Sequence, residues 1–226
     1  SVRHGLHASF SPKVLAEGVG NGGHVHLSLW RDTTNLFAGG PGQYGMTAEA
    51  EAFTAGVLTR LPALLAVGAP APASYLRLIP SHWAGAFQAW GLENRETALR
   101  LVTGSPGNPR AANLEVKAFD LSANPYLVVA TLLAAGLSGI ASHTPLPPPV
   151  NVDPATLSAD ELNAQGVLAL PHTLQGATDA FEGDDVLAAA LGADLTATIV
   201  DLRRAEIARS ADATPEQIVA VARWKY

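Results

Sequence analysis

The stretch Gly22-Gly23-His24-Val25-His26-Leu27-Ser28-Leu29-Trp30 alternates polar and apolar residues with a period of two. In a strand successive side chains point to opposite faces, so His24, His26 and Ser28 share one face while Val25, Leu27 and Leu29 share the other. Such a segment belongs in a sheet with one side against a core and the other turned to solvent or a ligand. The lead-in Val19-Gly20-Asn21-Gly22-Gly23 lets backbone approach a ligand without interference from Cβ atoms. On this motif alone two readings stay open: a half-buried strand with solvated histidines, or one wall of a binding site.

The rest of the chain narrows the choice. Its 226 residues suffice for one domain, or one domain with a helical appendage. With 48% hydrophobic and 15% charged residues it reads as compact rather than disordered. A formal charge of −6 without a basic patch argues against a broad nucleic-acid footprint. Having no cysteine, the chain has neither disulfides nor thiolate metal sites; histidine and carboxylate are its strong ligands, which fits a cytoplasmic location. The most apolar run, Tyr126 to Ile140, is shorter than the roughly 20 residues a bilayer requires and is broken by Gly136 and Gly139. It reads as a buried helix, and no membrane association is expected. The opening Ser1-Val2-Arg3-His4 lacks methionine and any signal-peptide pattern, and reads as a processed product or an excised piece of a longer fold.

Residues 8 to 37 read as strand, glycine loop, strand. Thr47 can cap a helix running to Val67, with Phe53, Val57, Leu61 and Leu64 at helical spacing and Pro70 and Pro72 closing it. Ser74 to Thr103 reads as strands joined by a functional loop from Pro80 to Gly85, residues 104 to 112 as a loop, and Asn113 to Phe119 as a strand with Glu115 and Lys117 on one face. Asn124 and Pro125 start a helix ending near Ser138. A proline-rich linker at 144–149 leads into an alanine-rich helical tail, where Leu191, Leu195, Ile199, Leu202 and Ala205 form a stripe. The expected division is a sheet-containing site region, 1–142, and a linker with helical tail, 143–226.

Arg77, Arg95 and Arg100 lie in otherwise apolar segments, where a guanidinium needs an anionic partner; its planar fork suits carboxylate or phosphate. Glu93, Glu96 or Asp120 could simply pair with them. Together with the two histidines and Glu115 they point to a pocket for an acidic, phosphorylated ligand. His82 is ambiguous, His4, His7, His143 and His172 read as solvated or capping, and Trp83, in a Pro/Gly loop, can line a site.

Four blocks carry a resemblance. Gly20-Asn21-Gly22-Gly23-His24-Val25-His26-Leu27-Ser28-Leu29, Ser74-Tyr75-Leu76-Arg77-Leu78-Ile79-Pro80, Asn94-Arg95 through Arg100, and Asn113 to Asp120 followed by Asn124-Pro125-Tyr126-Leu127 resemble, in order and at comparable spacing, the catalytic-domain motifs of the glutamine synthetase family. The likeness covers residues 8 to 140. It implies an α+β fold with a largely antiparallel sheet backed by helices, and ATP-dependent ligation of glutamate to ammonia or an organic amine through γ-glutamyl phosphate. It implies that His24 and Glu115 are ligands of Mg2+ or Mn2+, and that His26, Ser28 and Arg100 contact the nucleotide. Gly20, Arg77, Arg95 and Lys117 would bind glutamate, and Arg100 and Arg95 would act in catalysis. A homo-oligomeric ring is implied for the parent.

The departures are as informative. Where the family carries a flap glutamate that helps form an ammonium site, this chain has Trp83 within Ser81-His82-Trp83-Ala84-Gly85. Lys117 replaces a substrate arginine, keeping the charge and losing the fork. Asn113 replaces an ATP-side arginine. This combination resembles the FluG-like branch, in which the acceptor is often not ammonia. The family's N-terminal β-grasp domain and the carboxylates completing its metal sites have no counterpart here, so the chain reads as a C-terminal catalytic-domain fragment, inactive in isolation. Two rivals are a catalytically silent homologue that binds glutamate or nucleotide as scaffold or sensor, and an HxH metallohydrolase, which lacks further regularly spaced ligands.

Overall fold

The computed structural model describes residues 1–105 and 107–226. The alternation beginning at Gly22 becomes a short strand, β1 (Val25–Leu27), in which His24, His26 and Ser28 are exposed and Val25, Leu27 and Leu29 half-buried. A hairpin of β2 (Trp30–Arg31) and β3 (Thr34–Asn35) follows. Thr47 caps α1 (Ala48–Gly68) by accepting from the Ala50 amide, as its position before the apolar periodicity requires. β4 (Phe87–Leu92), β5 (Thr97–Val102) and β6 (Asn113–Val116) complete the middle of the chain. Asn124 caps α2 (Pro125–Ala141) by accepting from the Tyr126 and Leu127 amides.

The main sheet has the order β1-β6-β5-β4-β7, where β7 is Leu168–Ala169. Every neighbouring pair is antiparallel except β4 and β5. That parallel pair is joined by only four residues, Glu93 to Glu96, whereas such crossovers ordinarily take a dozen or more. At about 3.3 Å per residue, five steps from Leu92 to Thr97 just cover the length of β4. The reversal is forced through Glu93, whose φ is +51°, and the return segment is pinned where Asn94 Nδ2 donates to the Val150 and Val152 carbonyls.

α1 lies at the centre of the core. It is long and apolar enough to cross a membrane, yet 78% of its most apolar window is buried inside the protein. α2 crosses it at glycines: a Cβ on Gly56 would lie 2.3 Å from the Ala135 carbonyl oxygen, and one on Gly139 would lie 2.1 Å from that of Ala52. The C-terminal region adds α3 (Ala159–Ala164), α4 (Leu174–Glu182), α5 (Asp185–Leu191), α6 (Ala193–Ser210) and α7 (Pro215–Ala222), of which α4 and, more lightly, α6 pack on α1 while α5 packs on α2. Phe181, Leu187 and Ile199 are buried and join the same core as Phe53 and Leu64.

Five expectations are corrected. Residues 8–18 form no strand, only an isolated bridge between Lys13 and Gly20, because the Pro12 and Gly18 punctuation leaves no run long enough to pair. The segment at Ser74 is a 3-10 turn, Pro72–Leu76, initiated by its proline rather than extended. The strand from Asn113 ends at Val116, and Lys117 leaves it with its amide on the Ala98 carbonyl. The helical tail contains strand β7 at the sheet edge. The helix expected to carry the whole stripe breaks at Gly192 (φ +81°), which leaves Leu191 on α5, and within α6 it is Ile199 and Val200 that are buried while Leu202 is exposed.

Candidate active site

Glu115 sits on β6, between β1 and β5. His26 and Arg100 are its direct cross-strand neighbours on either side, and such neighbours share a face. His24, two residues along that face, closes the group: its Nδ1 lies 2.7 Å from Glu115 Oε1, and His26 Nε2 lies 3.6 Å from the same oxygen. Arg100 Nε stands 2.8 Å from Glu115 Oε2, but off the hydrogen-bonding angle, so Oε2 is buried without a hydrogen-bond partner. Burial alone would push this carboxyl up; the hydrogen bond from His24 and the charges of Lys117 and Arg100 outweigh it and hold it below the usual carboxylate range.

A second group adjoins. Arg77 is buried at 6% exposure, with Nη2 donating to the Lys117 carbonyl at 3.0 Å and Nη1 to that of Ala118 at 3.4 Å. Its stem lies against Gly20, where a Cβ would come within 2.5 Å of Arg77 Cγ. Gly22 touches both groups: a Cβ there would be 2.7 Å from Arg77 Nη2 and 2.7 Å from His24 Nε2. The glycine lead-in is thus what lets the buried arginine reach the histidine strand. Burial lowers the pKa of Lys117 and of Arg77, the first opposed by Glu115 and the second by Asp120. A pocket of about 240 Å³ opens between Lys13, Gly20, Gly22, His24, Arg77 and Trp83.

The loop over this pocket is strained. Ser81 (φ +58°) and Trp83 (φ +54°) both occupy the left-handed region, as does Gly85; for a non-glycine residue this costs about 1–2 kcal/mol. Two contacts hold it, Ser81 Oγ donating to Asp153 Oδ2 at 2.7 Å and the Trp83 amide to Glu96 Oε2 at 3.2 Å. The indole of Trp83 is left 64% exposed at the pocket rim.

Of the residues singled out from the sequence, His24, His26, Arg100 and Glu115 form one contact group, with Gly20, Arg77 and Lys117 beside it. Ser28 lies farther along the same face and accepts from Trp30 Nε1 at 3.0 Å. Arg95 is exposed on the return segment between β4 and β5 and makes no polar contact with the others among the described residues. It lies in the bend between the two strands, outside the cross-strand row that carries Arg100. Asn113 has a part that its residue type did not reveal: its Oδ1 lies 2.8 Å from His26 Nδ1 and orients that ring.

The match to known proteins is decisive on the family. Residues 1–220 fit the model described as glutamine synthetase, catalytic domain. The chain belongs to the glutamine synthetase family. It is 56% identical, over its whole length, to 49% of a gamma-glutamylpolyamine synthetase of Streptomyces coelicolor. Over 90% of its length it is 36% identical to 44% of a glutamine synthetase of Methanocaldococcus jannaschii. Among solved structures, a glutamine synthase homologue superimposes with a TM-score of 0.85 at 34% identity, covering all of this chain and 50% of that one. A GmaS structure in complex with ADP gives 0.79 at 33% identity, covering 94% and 48%. The chain therefore spans about half the length of these relatives.

The family implies a divalent cation, and the donor set tests it. His24 Nδ1 and Glu115 Oε1 are two bases facing each other at 2.7 Å, a separation held by a shared proton, and Glu115 Oε2 has no hydrogen-bond partner. A cation replacing that proton would have two protein ligands here. Mg2+ takes six, and no cluster of three or more histidine or carboxylate groups occurs among the described residues. The residues fit one side of a cation site.

Proposed function

We propose that this chain is the nucleotide- and glutamate-binding half of an ATP-dependent γ-glutamyl ligase whose acceptor is an organic amine. The observation that carries the reading is the cross-strand row His26, Glu115, Arg100 with His24 beside it, His24 also lining the pocket that Arg77 borders. In the proposed reaction an oxygen of the glutamate γ-carboxylate attacks the terminal phosphorus of ATP and ADP departs. The amine nitrogen then attacks the acyl carbon, phosphate leaves with that carboxylate oxygen, and the nitrogen loses a proton. Phosphoryl transfer of this kind is carried mostly by positioning and by compensation of charge.

The roles are those the family resemblance implies, and the placement of the residues is compatible with them. His24 and Glu115 hold one side of a Mg2+ or Mn2+ ion, which when bound neutralises charge on the migrating phosphoryl group. His26 and Ser28 line the path of the nucleotide phosphates. Arg100, paired to a carboxylate yet 18% exposed, faces the transferred phosphate. Arg77 has donors beyond the two spent on backbone carbonyls and binds glutamate where Gly20 leaves room. Lys117 adds positive charge behind it, and exposed Arg95 offers its fork to substrate entering from solvent. The remaining cation ligands come from the other half of a full-length chain or from a neighbouring subunit of a homo-oligomeric ring, in the cytoplasm.

Trp83 sets the acceptor. An indole at the rim cannot take a proton from ammonium, but it offers an apolar, cation-friendly face on which the carbon chain of an amine can pack, in keeping with the polyamine product named for the Streptomyces relative. The test is kcat/KM of the full-length parent for ammonia against a panel of primary amines and polyamines, repeated with Trp83→Glu. A polyamine is the best wild-type acceptor and the variant shifts the ranking toward ammonia. Ammonia as the best acceptor, with a ranking that Trp83→Glu leaves unchanged, refutes the assignment.

A further inference from the structure

We infer that Glu96 receives the second ammonium of a diamine or polyamine acceptor, the one remote from the attacking nitrogen, and so selects such acceptors over simple amines. The inference rests on the organic-amine reading proposed above and deepens it, naming a substrate class and a residue that reading does not use.

Glu96 stands at the end of the return between β4 and β5, and its backbone is held there. Its amide donates to Asn94 Oδ1 at 3.0 Å, Asn94 Nδ2 donates in turn to the Val150 and Val152 carbonyls, and Thr97 Oγ1 donates to the Asn94 carbonyl at 3.1 Å. The side chain is half-buried and meets the strained loop, Oε2 accepting from the Trp83 amide at 3.2 Å. The residue whose indole forms the apolar rim is thus bonded through its backbone to a carboxylate. Burial lowers the pKa of Lys117, and Glu96 together with Glu115 opposes that shift, so the charge of Glu96 is felt within the site.

This carboxylate has capacity that its neighbours lack. A carboxylate offers about four acceptor positions; on Glu96 the Trp83 amide takes one, and no arginine, lysine or histidine forms an ion pair with it among the described residues. Asp153, which holds the same loop, has both oxygens engaged, Oδ2 by Ser81 and Oδ1 by the Ala155 amide. Glu115 is engaged by His24 and Arg100. The lining of the adjoining pocket is mixed in character: Arg77 and Lys13 suit an anionic substrate, whereas Val19, Ile79 and Trp83 give it apolar surface, Val19 being 85% exposed. Apolar surface followed by a carboxylate matches a carbon chain that ends in an ammonium. The indole face packs the methylenes and attracts the cation, and Glu96 gives that cation a charge-assisted hydrogen bond. Ammonia and simple monoamines bring no second charge for Glu96 to hold.

The test compares diaminobutane with pentylamine, its equal in length with a methyl in place of the second ammonium, as acceptors for the full-length parent. The quantity read is the ratio of their kcat/KM values. Wild type favours the diamine about ten- to hundredfold, the range for one hydrogen bond to a charged group, and added salt erodes that preference. Glu96→Gln keeps an oxygen for the Trp83 amide but removes the charge, and the preference disappears while the KM for glutamate holds. Glu96→Lys inverts the preference. Ser81→Ala, which loosens the loop at its other hold without removing a charge, slows both acceptors alike and keeps the ratio. If wild type does not distinguish the two amines, or if Glu96→Gln keeps the wild-type ratio by slowing neither acceptor or both alike, the assignment of Glu96 is overturned while the organic-amine reading stands. If ammonia outruns both amines in wild type, that reading fails and takes this one with it.

Discussion

Replacing Gly139 with alanine should destabilise the protein, against the intrinsic preference of a helix. In mid-helix, glycine to alanine is ordinarily worth about 1 kcal/mol in favour of alanine. At Gly139 the new Cβ would sit 2.1 Å from the Ala52 carbonyl oxygen and 2.7 Å from Gly56 Cα, all of it backbone that no rotamer change can move. Carbon and carbonyl oxygen do not settle closer than about 3.3 Å, so α2 must retreat from α1 by about 1 Å. A gap of that size forfeits a quarter to a half of the dispersion between the atoms lining it. Overpacking of this kind costs about 3 kcal/mol at the upper end of its usual range. Set against the propensity gain, the expected net loss is about 2 kcal/mol, or roughly 4–8 °C in a chain of this size. Urea unfolding followed by circular dichroism measures it as a lower midpoint at unchanged slope. Gly176→Ala is the control: it lies in α4 with nothing nearer than 3.4 Å, and should be neutral or stabilised by up to about 1 kcal/mol. Gly139→Ala as stable as wild type would refute the close crossing.

Two further outcomes follow from the site and its surroundings. Gly20→Ala, whose Cβ would meet the Arg77 stem at 2.5 Å, should raise the KM of the parent for glutamate at least tenfold while leaving ADP affinity intact; equal loss of both would place Arg77 elsewhere in the mechanism. The carboxyl of Asp120 is raised by burial, against the hydrogen bonds from Ser122 and the charge of Arg77. Above the ordinary carboxylate value the unfolded chain is ionised while the folded one still holds its proton, so this group loses stability as pH rises through that window. Asp120→Asn does not titrate, and its stability relative to wild type should therefore improve from pH 4 upward; an unchanged difference across that range would contradict the direction.

Much of this was legible in the chain, for identifiable reasons. The face parity from His24 to Leu29 and the caps at Thr47 and Asn124 follow from local rules of strand alternation and helix capping, whereas the meeting of Glu115 with His24 was expected from the family resemblance; the structure keeps all of them. The sequence was silent where topology decides. Nothing local announces that β4 and β5 run parallel over a four-residue return, and that return is what separates Arg95 from Arg100 although both look alike in sequence. Gly192 could be read as a tolerated helical glycine, yet its backbone (φ +81°) divides α5 from α6. Nor could the contacts of Arg110 be foreseen, because Asn35 Nδ2 on its carbonyl and the Trp30 indole beside its guanidinium come from a hairpin far away in sequence.

The most direct test of the ligase reading is the fate of the glutamate oxygen. The full-length parent would be supplied with glutamate labelled with heavy oxygen in its γ-carboxylate, together with ATP, Mg2+ and a polyamine. Mass spectrometry would then follow the inorganic phosphate released. The mechanism requires one labelled oxygen in the phosphate for each amide formed, with the transfer lost in Glu115→Ala. Amide formed without label in the phosphate, or label transfer indifferent to Glu115, would contradict it.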